Sequence, residues 1–189
     1  MIAAPSGPAL PVIGRQSPVV GHEVPDRQPT TGDWRPGAAD IRPARVGDMR
    51  QVGLLINRFA RQNLMLPKAH DQLARNFREF VVAVEPGGQV LGCGALRVYS
   101  EALAEIASLA VDESVQGRGV GRLLVERLLV EARALALSRV FALTLQEDFF
   151  HRLGFHTEPK ESFPLKVWAD CRNCPKLHAC DEIAVAREI

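Results

Sequence analysis

The sequence predicts one mixed domain of the α/β (α+β) class, with about seven strands and four helices, and three observations carry that prediction. The chain has 189 residues, 47% hydrophobic and 24% charged, which fills one ordinary core and leaves no room for a second catalytic domain. Apolar residues recur at helical spacing from Met49 to Phe59 and from Val120 onward, while short β-branched runs bounded by Gly and Pro lie between them. The predicted order is strand, helix, helix, three strands, helix, strand, helix, strand, strand, and no internal repeat interrupts it.

Residues 1–39 carry Pro5, Pro8, Pro11, Pro18, Pro25, Pro29 and Pro36 without apolar periodicity, and are expected to form a disordered leader ahead of the domain at 40–189. An expression remnant or an organelle-targeting peptide is the alternative for this stretch, since it holds Arg together with Glu23 and Asp26. Order is expected from Ile41 to Arg45 as a first strand. Asp48 then caps a helix that buries Met49, Val52, Leu55, Ile56 and Phe59 along one stripe.

The Leu-rich break at 63–68 ends that helix, and Leu73, Phe77 and Phe80 space a second, short one before the strand at 80–84. Pro86, Gly87 and Gly88 turn the chain into strands at 89–99 and 103–111. Gly92 and Gly94 mark positions on the first of these where a neighbouring backbone or a ligand approaches closely. A second amphipathic helix then sets Val120, Leu123, Leu124, Leu128 and Leu135 inward and Arg122, Glu126 and Arg133 outward. A buried strand at 140–145, a short helix at 147–153 stopped by Gly154, and strands at 165–168 and 182–186 complete the domain.

Composition narrows the function. Lys and Arg number 23 against 22 Asp and Glu, a net charge of +1 with no block of one sign, so nucleic acid is not an expected partner. Apolar runs are too short to span a membrane, the N-terminus lacks a basic region followed by an apolar signal core, and a cytoplasmic protein is expected.

The chemistry-bearing motif is Gln116-Gly117-Arg118-Gly119-Val120-Gly121, placed between a strand and a helix. Phosphates require converging backbone N–H donors, an approach free of side chains, and the positive end of a helix dipole. The three glycines and the following helix supply these, with Arg118 and Arg122 as cations at the rim. By itself the loop is equally a tight strand-to-helix turn. A Walker loop is excluded because no Lys-Ser or Lys-Thr follows, and the dinucleotide spacing of three glycines is absent.

The loop follows Glu105-Ile106-Ala107-Ser108-Leu109-Ala110-Val111, and Leu153-Gly154-Phe155 comes after the next strand and helix. In this setting Gln116, Gly119 and Gly121 match the motif of Gln or Arg, two residues, Gly, one residue, then Gly or Ala, and the chain over about 41–187 resembles the GNAT acetyltransferase superfamily. The resemblance implies a splayed, mostly antiparallel sheet with acetyl-CoA between the fourth and fifth strands. Its pyrophosphate would lie on Gln116 to Arg122 and its pantetheine arm along the backbone of Leu109, Ala110 and Val111.

Direct attack of an amine on the thioester needs a proton acceptor, and Glu105 matches the position from which superfamily members present their base. Alternatively, Glu105 faces solvent or pairs with an Arg. Many members carry a Tyr five residues before the Phe of the Gly-Phe pair to protonate the leaving thiolate. Phe150 stands there, so the thiolate departs unassisted or is protonated by water or His151.

Residues 64–80, 105–111 and 141–155 further resemble the acetyltransferase domain of N-acetylglutamate synthases, which opens arginine biosynthesis, in a short form without an amino-acid kinase domain. That implies a small amino-acid acceptor held by Lys68, with Gln146 in the neighbourhood where the long enzymes use Arg and Ser; Arg97 on the third strand is read either as a replacement grip or as a surface ion-pairing residue. Another amine, such as a polyamine, a drug or a protein N-terminus, is the alternative acceptor, and a catalytically silent acetyl-CoA-binding module is a third reading. A homodimer stays open.

Cys171, Cys174, His178 and Cys180 lie within ten residues and offer a set of zinc ligands. A reduced thiol cluster or a Cys171–Cys174 redox pair competes with zinc there, because structural zinc sites draw ligands from two separated segments.

Overall fold

The computed structural model describes residues 39–163, 174, 176 and 179–189. Its elements run β1 (Asp40–Pro43), α1 (Met49–Arg61), α2 (His70–Arg75), β2 (Phe80–Val84), β3 (Val90–Val98), β4 (Leu103–Val111), α3 (Val120–Ala134), β5 (Arg139–Thr144), α4 (Glu147–His151), β6 (His156–Glu158) and β7 (Ile183–Glu188). Residues 1–38 of the leader expected at 1–39, the strand expected at 165–168 and the candidate ligands Cys171 and His178 lie outside the described residues.

Among the described residues the strands form one seven-stranded sheet in the order β1-β2-β3-β4-β5-β7-β6. Every neighbouring pair is antiparallel except β4 and β5, which run parallel. The parallel pairing is brief: Leu103, Ala104 and Glu105 lie opposite Arg139, Val140 and Phe141, and the ladder stops there. Beyond Glu105 the two strands diverge, and the sheet opens into the expected splay.

The period of two in β2 distributes the core between the faces. Val81 and Ala83 join Leu96, Ala104, Ile106, Val140 and Val185 beneath α3 and Phe150 of α4, whereas Val82 and Val84 join Cys93, Ala95 and Ala110 beneath α1 and Leu73 of α2. α1 turns its predicted stripe of Met49, Val52, Leu55, Ile56 and Phe59 inward. Each fully buried aliphatic side chain of this kind stabilises the fold by about 1.5–3 kcal/mol. Gly92 and Gly94 are where α3 comes closest: a Cβ on Gly92 would stand 3.0 Å from Leu124, and one on Gly94 3.0 Å from Leu128. The close approach read from the sequence is therefore made by α3.

Three details depart from expectation. Leu135 is 56% exposed, because α3 ends at Ala134 and Ala136 turns the chain at φ 56°, so Leu137 takes the buried place. Asp48 does not cap α1; its carboxylate accepts from the Arg45 N–H (2.6 Å) and from both terminal nitrogens of Arg42 (2.7 and 3.0 Å), closing the 3-10 turn that precedes the helix. β6 was not anticipated, since His156-Thr157-Glu158 has no apolar alternation; it is recruited by pairing with Ala184 to Ala186 of β7. Among the described residues no helix is long and apolar enough to cross a membrane.

Candidate active site

The divergence of β4 from β5 leaves a cavity of about 1060 Å³ that reaches from the glycine loop to Glu105 and on to Cys174, Lys176 and residues 180–182. The end where the sequence places a phosphate site is built by the turn into α3. Asp112 closes a 3-10 turn by accepting from Ser114 N and Oγ (3.0 and 2.7 Å), and Gln116 folds back so that its side-chain amide donates to the Val111 carbonyl (2.9 Å). Gly119 precedes α3 at φ 86°, ψ −1°, a left-handed conformation that L side chains adopt at a cost. Leu123 is the first residue of the helix to bond back, to the Gly119 carbonyl (3.1 Å). The N–H groups of Val120, Gly121 and Arg122 thus open the helix without intrahelical acceptors, at the positive end of a 15-residue helix.

Of the residues expected at this end, Gln116, Gly117, Gly119, Val120, Gly121 and Arg122 line the cavity. Arg118 does not. It is exposed and outside the cavity wall, whereas Arg122 lines the wall, and its Nε also donates to Glu126 one turn on (2.7 Å).

The middle of the cavity follows β4, and Leu109, Ala110 and Val111 line it as expected. The register with β3 slips here. Cys93 is opposite Ala110 and Ala95 opposite Ala107, so Ser108 and Leu109 together face Gly94 as a bulge, with Ser108 at φ 52°. A bulge bends the strand and re-aims its backbone groups. The Cys93 thiol donates to the Ser108 carbonyl (3.6 Å) and braces it from the core side, where burial pushes that thiol up to about 12.

The far end holds the residues expected on the acceptor side. Glu105 is only 3% exposed, so it does not face solvent: the Tyr99 hydroxyl donates to its Oε2 (3.0 Å), and Arg97 is its register partner on β3. Directly opposed residues of an antiparallel pair share one face, which sets the Arg97 and Glu105 side chains side by side in the cavity wall. Arg97 also approaches Glu79 (Nε to Oε2, 3.9 Å).

Lys68 lines the same end and is fixed through its main chain. Its N–H donates to Asn57 Oδ1, and its carbonyl accepts from Asn57 Nδ2, both at 3.0 Å. Gln146 reaches the wall from the turn before α4, where its N–H donates to the Thr144 hydroxyl (2.9 Å).

Phe150 lines the cavity as a buried ring packed edge-on between Phe149 and Phe155, with no hydroxyl to offer. His151 is turned away from the cavity toward Thr157 (3.0 Å), which removes it as a proton donor to a thiolate.

Sequence reasoning missed several wall residues. Lys160, Lys176, Asp181 and Glu182 join Cys174 and Cys180 there, and Lys176 Nζ donates to the Asn63 carbonyl (3.2 Å) just past the end of α1. No short-range motif marks them, since they meet only when β7 pairs with β5. The zinc expectation finds no support: among the described residues no three His, Cys, Asp or Glu side chains converge, and Cys174 and Cys180 are free thiols.

The sequence from Met49 to Thr157 matches the model of the acetyltransferase (GNAT) family, more than half of the chain. The chain belongs to the GNAT acetyltransferase family. As a GNAT protein it is an acetyl-CoA-dependent N-acetyltransferase. An N-acetyltransferase of Chlorobaculum tepidum is 42% identical over 149 residues, covering 79% of this chain and 96% of that protein. The amino-acid acetyltransferase of Mycobacterium tuberculosis is 42% identical over 117 residues, 61% of this chain and 67% of that one. Among solved GNAT folds, the N-acetylglutamate synthase of Neisseria gonorrhoeae in complex with coenzyme A and N-acetyl-glutamate superposes with a TM-score of 0.71 at 29% identity. That match covers 79% of this chain and 35% of the synthase.

Proposed function

We propose that this chain transfers the acetyl group of acetyl-CoA to the α-amino group of a small acidic amino acid, L-glutamate first among them, and so opens arginine biosynthesis in the cytoplasm. The observation that carries the reading is the buried Glu105 carboxylate set beside Arg97 in a cavity continuous with the pyrophosphate loop. An amine with a pKa of about 10 is mostly ammonium at neutral pH and must lose a proton before it attacks. Glu105 takes that proton, the nitrogen adds to the thioester carbonyl, and collapse of the tetrahedral adduct breaks the C–S bond and releases coenzyme A as thiolate.

Lys68 and Arg97 hold the acceptor carboxylates and Gln146 donates across the cleft. The bulged backbone at Leu109 to Val111 orients the pantetheine amides, and the loop from Gln116 to Arg122 neutralises the pyrophosphate. Phe150 supplies no proton to the departing thiolate, so water or the acceptor's own proton serves. The acceptor class is supported by the amino-acid acetyltransferase of M. tuberculosis and by the N-acetyl-glutamate complex of the N. gonorrhoeae synthase.

Asp181 and Glu182 in the same wall favour a second reading, a cationic acceptor such as a polyamine. Thiol release from acetyl-CoA against amino acids and polyamines separates the two. Release with glutamate or aspartate well above release with spermidine is expected; the opposite order overturns the acidic-acceptor reading.

A further inference from the structure

Tyr99 is the only tyrosine of the chain, and it does not stand where a proton donor to the leaving thiolate would. It lies just beyond the last residue of β3, on the same strand face as Arg97, diagonal to Glu105 across the hairpin. Its main chain is fixed by Tyr99 N donating to the Leu103 carbonyl (2.9 Å), an acceptor shared with Ser100 N (3.2 Å). Its ring sits 5.9 Å from that of Phe141, tilted by 45°, and Phe141 in turn stacks on Phe163 at 4.2 Å. Phe141 is also the residue opposite Glu105 where β4 and β5 still pair. The phenol therefore reaches the Glu105 carboxylate from the aromatic cluster rather than from the cavity wall, to which Tyr99 does not belong.

The last torsion of a glutamate side chain is broad, so a carboxylate on an otherwise fixed stem still rotates about it. A donor held by its own ring packing and bonded to Oε2 restrains that torsion. We propose that Tyr99 is the positioning residue for Glu105, holding the carboxylate in the orientation from which it removes the amine proton. This rests on Glu105 being the base. Misplacing a reacting group by a fraction of an ångström costs rate rather than substrate affinity.

Tyr99→Phe keeps the ring and removes the hydroxyl. In the full chain with acetyl-CoA and the best amine acceptor, it is expected to lower kcat on the order of 10-fold, with KM for acetyl-CoA and the thermal midpoint unchanged. Placed on Glu105→Gln, it is expected to lower kcat no further. An equal fall in both backgrounds assigns Tyr99 a general structural role and overturns the proposal, as does wild-type kcat in Tyr99→Phe while Glu105→Gln is impaired. Wild-type kcat in Glu105→Gln itself overturns the base assignment, and the proposal with it. A Tyr99→Phe protein with a lowered midpoint is assayed below that midpoint, where the same comparison of backgrounds decides.

Discussion

Arg58 and Asp112 are 54 positions apart in the chain and 2.7 Å apart in the fold, an ion pair that ties the last turn of α1 to the residue opening the turn into α3. Asp112 also holds Ser114 through two bonds, so one carboxylate sets both the loop's entry and its distance from α1. Burial pushes this carboxyl up, but the hydrogen bonds from Ser114 and Arg58 outweigh it and leave Asp112 below its ordinary value of 3.8. A lowered folded pKa means stability that is fully present above 3.8 and is lost as the pH falls through the folded value. Asp112→Asn is expected to lower stability by ~1 kcal/mol at pH 7 and to weaken coenzyme A binding. In urea titrations the difference from the wild type is expected to vanish well below pH 3.8.

Glu105→Gln preserves shape and hydrogen bonding capacity but cannot take a proton. Its kcat is expected to fall by about 10²–10⁴-fold with coenzyme A binding intact, as measured by calorimetry beside steady-state assays. Undiminished turnover from pH 7 to 9 would remove Glu105 from the reaction.

Gly119 is constrained by conformation rather than space, for a Cβ there would meet nothing within 4 Å. Gly119→Val puts a branched side chain at φ 86°, a cost of roughly 1–2 kcal/mol that falls on the loop. Coenzyme A is expected to bind at least about 5-fold more weakly. Gly47→Ala, equally open and without a positive φ, serves as the neutral control.

Thiol accessibility separates the cysteines. Cys93 is buried and pushed up to about 12, whereas Cys174 and Cys180 are half-buried at the cavity wall. Brief alkylation at pH 8 followed by peptide mapping is expected to label Cys174 and Cys180 and to spare Cys93 until the protein unfolds. Saturating acetyl-CoA is expected to slow the labelling. Equal labelling of Cys93 in the native state would contradict the packing of β3.

What the sequence displayed were features written in local pattern. The stripe of α1, the bounds of β4 and the loop before α3 are each carried by residues within one turn or one strand, and the fold follows them closely. Leu135 misled because periodicity continues past Ala134 while the helix does not; the left-handed Ala136 that ends it has no glycine to announce it. The Ser108 bulge was invisible for the same reason, a non-glycine residue at positive φ forced by its neighbours. In the site, Glu105 was identifiable by position, but its burial and its Tyr99 partner depend on a hairpin register, and the Arg58–Asp112 tie on the docking of α1. Arg118 stands outside the cavity wall because adjacency in a motif does not fix which way a side chain leaves a loop.

The brevity of the β4–β5 ladder has one further consequence. Past Glu105 and Phe141, β4 presents an edge in the middle of a sheet rather than at its rim, with main-chain groups that only water or a bound molecule can satisfy on that side. An extended ligand with amides of its own can lie there as a surrogate strand. The protein would then be most prone to breathe along this seam when empty. Amide exchange at Ala107 to Ala110 should slow on loading by far more than exchange in β2, whose both neighbours are protein.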